Sequence, residues 1–174
     1  MQTQAQPAVD PVQLAAMQTR MVLQGRMRSG MNWFYWIAGL SLINSGAYLF
    51  GATFSFVIGL GITQLIDGVF TAISQQMGPG SEWLRVLGTV LDLVVAGVFV
   101  LIGYFGRKRV RWPVIMGMVL YALDAILMLA FKDFFGAAFH AWALFAIWTG
   151  LKAMGRLEAF EKAANPQVIG NSAT

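Results

Sequence analysis

Residues 84–105, LRVLGTVLDLVVAGVFVLIGYF, form an apolar segment long enough to cross a membrane as a single helix. At 1.5 Å of rise per residue, roughly 20 helical residues cover the ~30 Å hydrocarbon core of a bilayer. Two charged residues interrupt the segment, Arg85 near its start and Asp92 well inside it. We therefore expect a transmembrane helix that carries a carboxyl group within the bilayer.

Four further apolar segments of similar length lie before and after this one, and short connections join neighbouring segments. They cover residues 33–50, 53–75, 113–131 and 134–153. Tryptophan and tyrosine residues cluster at the segment ends, where their amphipathic rings favour the headgroup zone. The pattern predicts an all-α polytopic membrane bundle over residues 31–154, with about five transmembrane helices that alternate in direction.

The two ends of the chain are more polar than the bundle. Asp10-Pro11 is typical of a helix start, and Ser29-Gly30 is expected to end that helix. Residues 1–30 are therefore interpreted as a polar tail followed by an amphipathic helix on the membrane surface, with a loosely ordered Gln-rich tail as the alternative. Residues 155–174 are predicted to extend the last helix until Asn165-Pro166 ends it.

The composition agrees with a membrane location. Of the 174 residues, 57% are hydrophobic and 11% are charged, whereas a soluble domain carries about 25% charged residues. We expect a multi-pass protein of a plasma or inner membrane, with the lipid bilayer as its main partner. Its bases lie beside apolar segments, where they meet lipid headgroups, so no nucleic-acid partner is expected. The absence of cysteine excludes disulfides, thiolate metal sites and iron–sulfur clusters, and no cofactor is expected.

The orientation is open between two topologies. With five crossings, five bases lie on the N-terminal side and seven on the other, a small difference that favours the second side as cytoplasmic. In the alternative, one of the first two segments is re-entrant around Asn44-Ser45-Gly46. The N-terminus, the basic 107–111 connection and the C-terminus would then share the cytoplasmic side.

Four ionisable residues fall inside the apolar segments: Asp67, Asp92, Asp124 and His140, the only histidine. Counted from the nearer segment ends at the helical rise, each lies roughly 9–12 Å deep, and all from the same side if the helices alternate. Burying such groups costs several kcal/mol unless they are paired or neutral. We therefore expect one intramembrane polar layer.

Two uncharged polar residues complete this candidate site. Gln64 precedes Asp67 by about one turn, and Tyr121 has the same relation to Asp124. The layer is interpreted either as a site that binds a cation or relays protons, or as hydrogen bonding that only holds helices together. A divalent metal is a further hypothesis, although no pair of these residues has a recognised metal-site spacing.

A basic run lies between the third and fourth segments. It contains Arg107, Lys108, Arg109 and Arg111, which are interpreted as anchors for lipid headgroups or for a partner protein.

Two classes of function follow. The favoured one is a non-catalytic accessory or assembly subunit, or a scaffold, that joins other membrane subunits or forms a homo-oligomer. The alternative is a proton or cation transporter or channel that uses the intramembrane Asp/Asp/Asp/His layer. No enzyme is expected, and serine-nucleophile motifs such as G-x-S-x-G are absent.

Overall fold

The computed structural model describes residues 10–49 and 59–164, and within these ranges the chain is helical with no strand. The parts of the predicted tails and segments at 1–9, 50–58 and 165–174 lie outside the described residues. There are five helices in this part of the chain: α1 Pro11–Leu49, α2 Gly61–Met77, α3 Trp83–Arg107, α4 Arg111–Ala130 and α5 Phe134–Ala164. The all-α prediction is confirmed.

Three of the described helices, α3, α4 and α5, are long and apolar enough to cross a membrane. Their most apolar windows have mean hydropathies of 2.5, 2.0 and 1.4. Large apolar side chains such as Val94 and Ile126 point outward, with exposed fractions of 59% and 61%. The carboxyl groups of Asp92 and Asp124 are buried instead. This distribution, apolar outside and polar inside, is consistent with a bundle that lies in a membrane.

Helix α1 is one continuous helix of 39 residues, so the expected end at Ser29-Gly30 is wrong. The predicted start is confirmed, because the Asp10 side chain accepts a 3.0 Å hydrogen bond from the backbone N–H of Val12. Gly30 instead marks where α1 crosses α5. A Cβ atom added to Gly30 would lie 2.6 Å from the Cα atom of Gly150, so the two backbones touch.

The helices do not alternate in direction throughout, which corrects the five-crossing prediction. Helix α1 is antiparallel to α3, since Phe34 packs against Gly103 and the Ser45 hydroxyl bonds Asp92. Helix α2 is also antiparallel to α3, because the short turn at 78–82 reverses the chain between these packed helices. Helices α1 and α2 therefore run in the same direction.

Helix α2 begins inside the bundle. The backbone N–H of Leu60 donates a 2.8 Å hydrogen bond to the hydroxyl of Ser41. Ser41 lies eight residues before Leu49, the last residue of α1, which is roughly 12 Å back along that helix. Leu60 and Gly61 are both buried, so the first turn of α2 lies among its neighbours and away from both ends of the bundle.

Three ion pairs bring together the first part of α1, the α3–α4 connection and the last part of α5. Arg20 and Arg109 both pair with Glu161, at 3.1 and 2.6 Å, and Arg111 pairs with Glu158 at 2.6 Å. We call this the basic end, because it carries Arg20, Arg26, Arg28, Arg107, Lys108, Arg109, Arg111, Lys152, Arg156 and Lys162. The opposite end carries the other two bases, Arg85 and Lys132.

The basic end extends well beyond the α3–α4 connection. Gly106, near the end of α3, packs against Met31 of α1, so residues 11–29 of α1 lie beyond that level. Residues 151–164 of α5 lie beside them, since Arg20 pairs with Glu161, and Leu157 in this part of α5 is fully buried. We call these two stretches the paired extension. The amphipathic surface helix predicted to start at Asp10-Pro11 and end at Ser29-Gly30 is thus the first part of α1 and packs along α5.

Candidate functional site

The four ionisable residues of the apolar segments form two pairs, and not the single layer that was expected. Asp124 of α4 contacts His140 of α5, and Asp67 of α2 contacts Asp92 of α3. Asp124 also contacts Gly61, six residues before Asp67 on α2, so the pairs are roughly 9 Å apart along that helix. Among residues 10–49 and 59–164, no three Asp, Glu or His side chains lie close enough together to hold a metal ion.

The carboxyl group of Asp124 caps the first turn of α2. Its Oδ2 and Oδ1 atoms accept the backbone N–H groups of Gly61 and Ile62, each at 2.8 Å. Helix N-termini have unsatisfied N–H donors and a partial positive charge, so a carboxylate is a favourable partner. The residue before the helix, Leu60, has no side chain that could do this. The α2 start is therefore capped by another helix.

His140 holds Asp124 in place and fixes the protons of the pair. Its Nδ1 atom lies 2.7 Å from the carbonyl oxygen of Gly136, which can only accept, so Nδ1 donates. Its Nε2 atom lies 2.8 Å from Asp124 Oδ2, so one proton lies between these two atoms. Whether imidazolium with carboxylate or imidazole with carboxylic acid, the pair has no net charge. It is therefore tolerated in a buried position.

Tyr121 belongs to this first pair. Its ring stacks on the imidazole of His140, with centroids 4.2 Å apart and an angle of 19° between the planes. The side chain is fully buried, and its hydroxyl has no hydrogen-bond partner within the described part of the chain. The ring thus confines the imidazole against Asp124.

The second pair consists of two carboxyl groups in hydrogen-bonding contact. Asp92 is completely buried and Asp67 is 6% exposed. The Ser45 hydroxyl donates to Asp92 Oδ2 at 2.7 Å. No N–H or hydroxyl donor reaches Asp92 Oδ1 from the described residues, while the Asp67 carboxyl group lies within hydrogen-bonding reach. Two carboxyl groups can bond in this way only if they share a proton.

Arg85 supplies the charge that faces this pair. It lies three residues before Gly88 on α3, and Gly88 packs against the Asp67 carboxyl group, so the guanidinium group and Asp67 share one face of the helix pair. The two interact electrostatically, and the Nε atom of Arg85 is buried. With one shared proton on the carboxyl pair, the group formed by Arg85, Asp67 and Asp92 is neutral.

A polar pocket of about 390 Å³ opens beside Arg85 at the opposite end of the bundle. We call it the polar vestibule. Its walls are the last turns of α2, the 78–82 turn and the first turn of α3. The residues that line it are Thr71, Ser74, Gln75, Gly78, Pro79, Ser81, Glu82 and Arg85. Thr71 lies one turn after Asp67, and Arg85 interacts electrostatically with Asp67, so the inner wall of the vestibule is next to the carboxyl pair.

The remaining predicted residues lie away from both pairs. Gln64 is half-buried and lines a groove between α2 and α4. In the basic run, Arg109 and Arg111 pair with α5, so they hold helices together. Lys108 lies over the ring of Tyr104 at 5.7 Å, and Arg107 is exposed. The positions of Lys108 and Arg107 therefore remain compatible with binding to lipid headgroups.

Arg85 and Ser45 lie next to the Asp67–Asp92 pair, but neither residue was assigned to the site from sequence. Arg85 was treated only as a charged residue near the start of its segment, although its spacing of seven residues from Asp92 already places both on one face of α3. Ser45 was named in the re-entrant alternative around Asn44-Ser45-Gly46, but not as a partner of Asp92. Its contact with Asp92 depends on how α1 packs against α3, which the spacing of residues does not reveal.

Comparison of the chain with models of protein families, with curated proteins and with solved structures finds no match.

Proposed function

We propose that this protein is a small membrane transporter or channel that binds a proton or a cation at the Asp67–Asp92 carboxyl pair. In this arrangement α1, α3, α4 and α5 cross the membrane. Helix α2 starts in the middle of the bundle and runs to the end opposite the basic end. Helices that start within the membrane are a recurrent feature of transporter ion sites. Irregular backbone at that depth is tolerated only inside protein or beside a water-filled cavity.

The observation that carries the proposal is the contact between the carboxyl groups of Asp67 and Asp92. Two buried carboxyl groups on neighbouring helices are a costly way to hold those helices together, because a single amide or hydroxyl would serve as well. A pair that needs one proton to form its hydrogen bond is instead suited to releasing and regaining that proton. The polar vestibule gives it a route to water.

The Asp124–His140 pair has a different part in this proposal. Every polar atom of that pair is engaged, by two backbone N–H groups, by Gly136 and by each other. We assign it to holding the first turn of α2 and not to transport. The four groups, expected as one binding layer, thus divide into a structural pair and a functional pair.

The test is ion flux into vesicles that contain the purified protein and a pH-sensitive dye, driven by a potassium diffusion potential. The variant Asp92→Asn keeps the size of the side chain and an acceptor for Ser45, but it cannot release a proton. We expect flux to fall to that of empty vesicles. The matched control is Asp133→Asn, a carboxyl group in the α4–α5 connection, which should leave flux unchanged. Unchanged flux in Asp92→Asn at equal incorporation would refute the proposal.

The accessory-subunit function is a second candidate, supported by the paired extension. Leu14, Met17 and Met21 lie on one face of α1 and are 49%, 58% and 63% exposed. Methionine-rich apolar faces suit protein partners. A native mass spectrum after mild extraction distinguishes the two candidates. Other polypeptides bound in fixed ratio would favour a subunit, whereas the chain alone or as a homo-oligomer would favour transport.

A further inference from the structure

We propose that Arg85 makes the Asp67–Asp92 pair selective for protons over alkali cations such as Na⁺ and K⁺. This inference rests on the proposed function and names the ion that the site takes. The guanidinium group of Arg85 lies where a metal cation would have to approach the carboxyl pair from the vestibule. It thus acts as a fixed cation in the site.

The position of Arg85 follows from two independent contacts. It lines the polar vestibule together with Thr71 and Glu82. Three residues further along α3, Gly88 packs against Asp67, and Arg85 itself interacts electrostatically with Asp67, so its side chain lies beside the carboxyl pair on the vestibule side. Its Nε atom is buried, so water does not fully screen its charge.

A proton can pass this barrier in a way that a metal ion cannot. A hydroxyl group accepts a proton on its oxygen and releases its own, so no ion has to move past the guanidinium group. The Thr71 hydroxyl is suitably placed, since it lies one turn from Asp67, and its buried oxygen has no hydrogen-bond partner within the described ranges. Sodium would have to displace the guanidinium group or lie beside it.

The expected size of the barrier follows from Coulomb's law. For unit charges about 6 Å apart at an effective dielectric constant of about 20, the repulsion lowers cation occupancy by about a hundredfold. Removing the charge of Arg85 should therefore raise Na⁺ occupancy of the site by about that factor.

The experiment compares ²²Na⁺ uptake and proton flux in vesicles containing wild-type protein, Arg85→Gln, Arg85→Lys or Lys132→Gln. Lys132 is the matched control, as the only other base at the opposite end of the bundle. We expect measurable Na⁺ uptake in Arg85→Gln alone, abolished when Asp92→Asn is added. Arg85→Lys keeps the charge and should exclude Na⁺.

The two proposals fail in different ways. If wild-type protein moves protons but Arg85→Gln admits no more Na⁺ than wild type, the selectivity proposal is wrong and the proposed function stands. If neither ion moves through wild-type protein, the proposed function itself fails. If Arg85→Gln does not fold, Na⁺ uptake by Arg85→His can be compared at low and at high pH. Uptake should rise with pH as the imidazolium group loses its proton. Uptake independent of pH in that variant would overturn the proposal.

Discussion

Asp124 and Gly61 are joined by a 2.8 Å hydrogen bond between positions 63 residues apart in the chain. The same carboxyl group accepts the N–H of Ile62 and contacts His140. One side chain of α4 thus meets both α2 and α5. The stability of three helices depends on this carboxyl group.

We predict that Asp124→Asn destabilises the protein more than it alters any site for ions. The amide keeps one acceptor but places an N–H₂ group opposite one of the N–H donors of α2, and it replaces the proton-sharing bond to His140 with a weaker neutral hydrogen bond. Breaking one side of a buried pair costs roughly 3 kcal/mol. Thermal unfolding in detergent, followed by loss of helical circular dichroism, should show a clearly lower midpoint. A midpoint equal to that of Asp133→Asn would contradict the prediction.

Gly30 provides a test of the helix crossing. We expect Gly30→Ala to destabilise the protein by roughly 1–3 kcal/mol, because its Cβ would meet the Gly150 backbone, which cannot turn away as a side chain can. Gly25→Ala is the matched variant on the same helix, where an added Cβ meets nothing within 4 Å. It should be neutral or stabilising by roughly 0.5–1 kcal/mol. Equal thermal midpoints for the two variants would show that α1 and α5 do not cross at Gly30.

The paired extension should respond to acid through Glu161. The hydrogen bond from Arg109, together with the nearby charges of Arg109 and Arg20, holds the pKa of Glu161 below its ordinary value. Because the pKa is lower in the folded chain, the stabilisation is fully present above the unfolded value of about 4.3, and it is lost as the pH falls through the folded-state pKa.

The measurement is the distance between spin labels on Gln18 and Lys162, on the two halves of the extension. We expect a narrow distribution near neutral pH that broadens as the pH falls below about 4. In Glu161→Gln the distribution should be broader at neutral pH and should change less on acidification. A distribution that stays narrow in acid would show that apolar packing alone holds the extension together.

The membrane orientation can be tested with single cysteines, since the chain has none of its own. Ten bases at the basic end against two at the other favour the basic end as cytoplasmic. An impermeable maleimide should therefore label Gln18→Cys and Lys162→Cys in inside-out vesicles, and Gln76→Cys only in right-side-out ones. If Gln18→Cys and Lys162→Cys were labelled from opposite faces of the membrane, the two positions could not lie at the same end of the bundle.

The periodic features of the sequence predicted much of this structure. The lengths of the apolar segments predicted helices, and the one-turn spacing of Tyr121 and Asp124 placed both on one face of α4, where both are buried. The short connections predicted that α3, α4 and α5 would pack as antiparallel neighbours. These are local properties, so a single sequence is enough to reveal them.

The errors arose where the partner is distant in sequence. Ser29-Gly30 resembles a helix end, but a glycine that ends a helix and one that lets two helices touch look alike until the second helix is known. The start of α2 was placed too early because its cap lies on α4. The single polar layer was wrong because its depths assumed that the ends of the segments lie at one level, whereas Asp124 contacts Gly61, six residues before Asp67 on α2.

The distant cap of α2 also has a consequence for biosynthesis. When residues 61–77 leave the ribosome, the carboxyl group that completes their first turn has not yet been made, and the imidazole that fixes that carboxyl group follows later still. The C-terminal part of α2 can pack against α3 as soon as α3 has been made. The first turn of α2 becomes capped only after α4 and α5 have entered the bilayer. Chain order and assembly order therefore differ in this protein, and a nascent chain stopped before residue 124 should leave that turn exposed to quality-control proteases of the membrane.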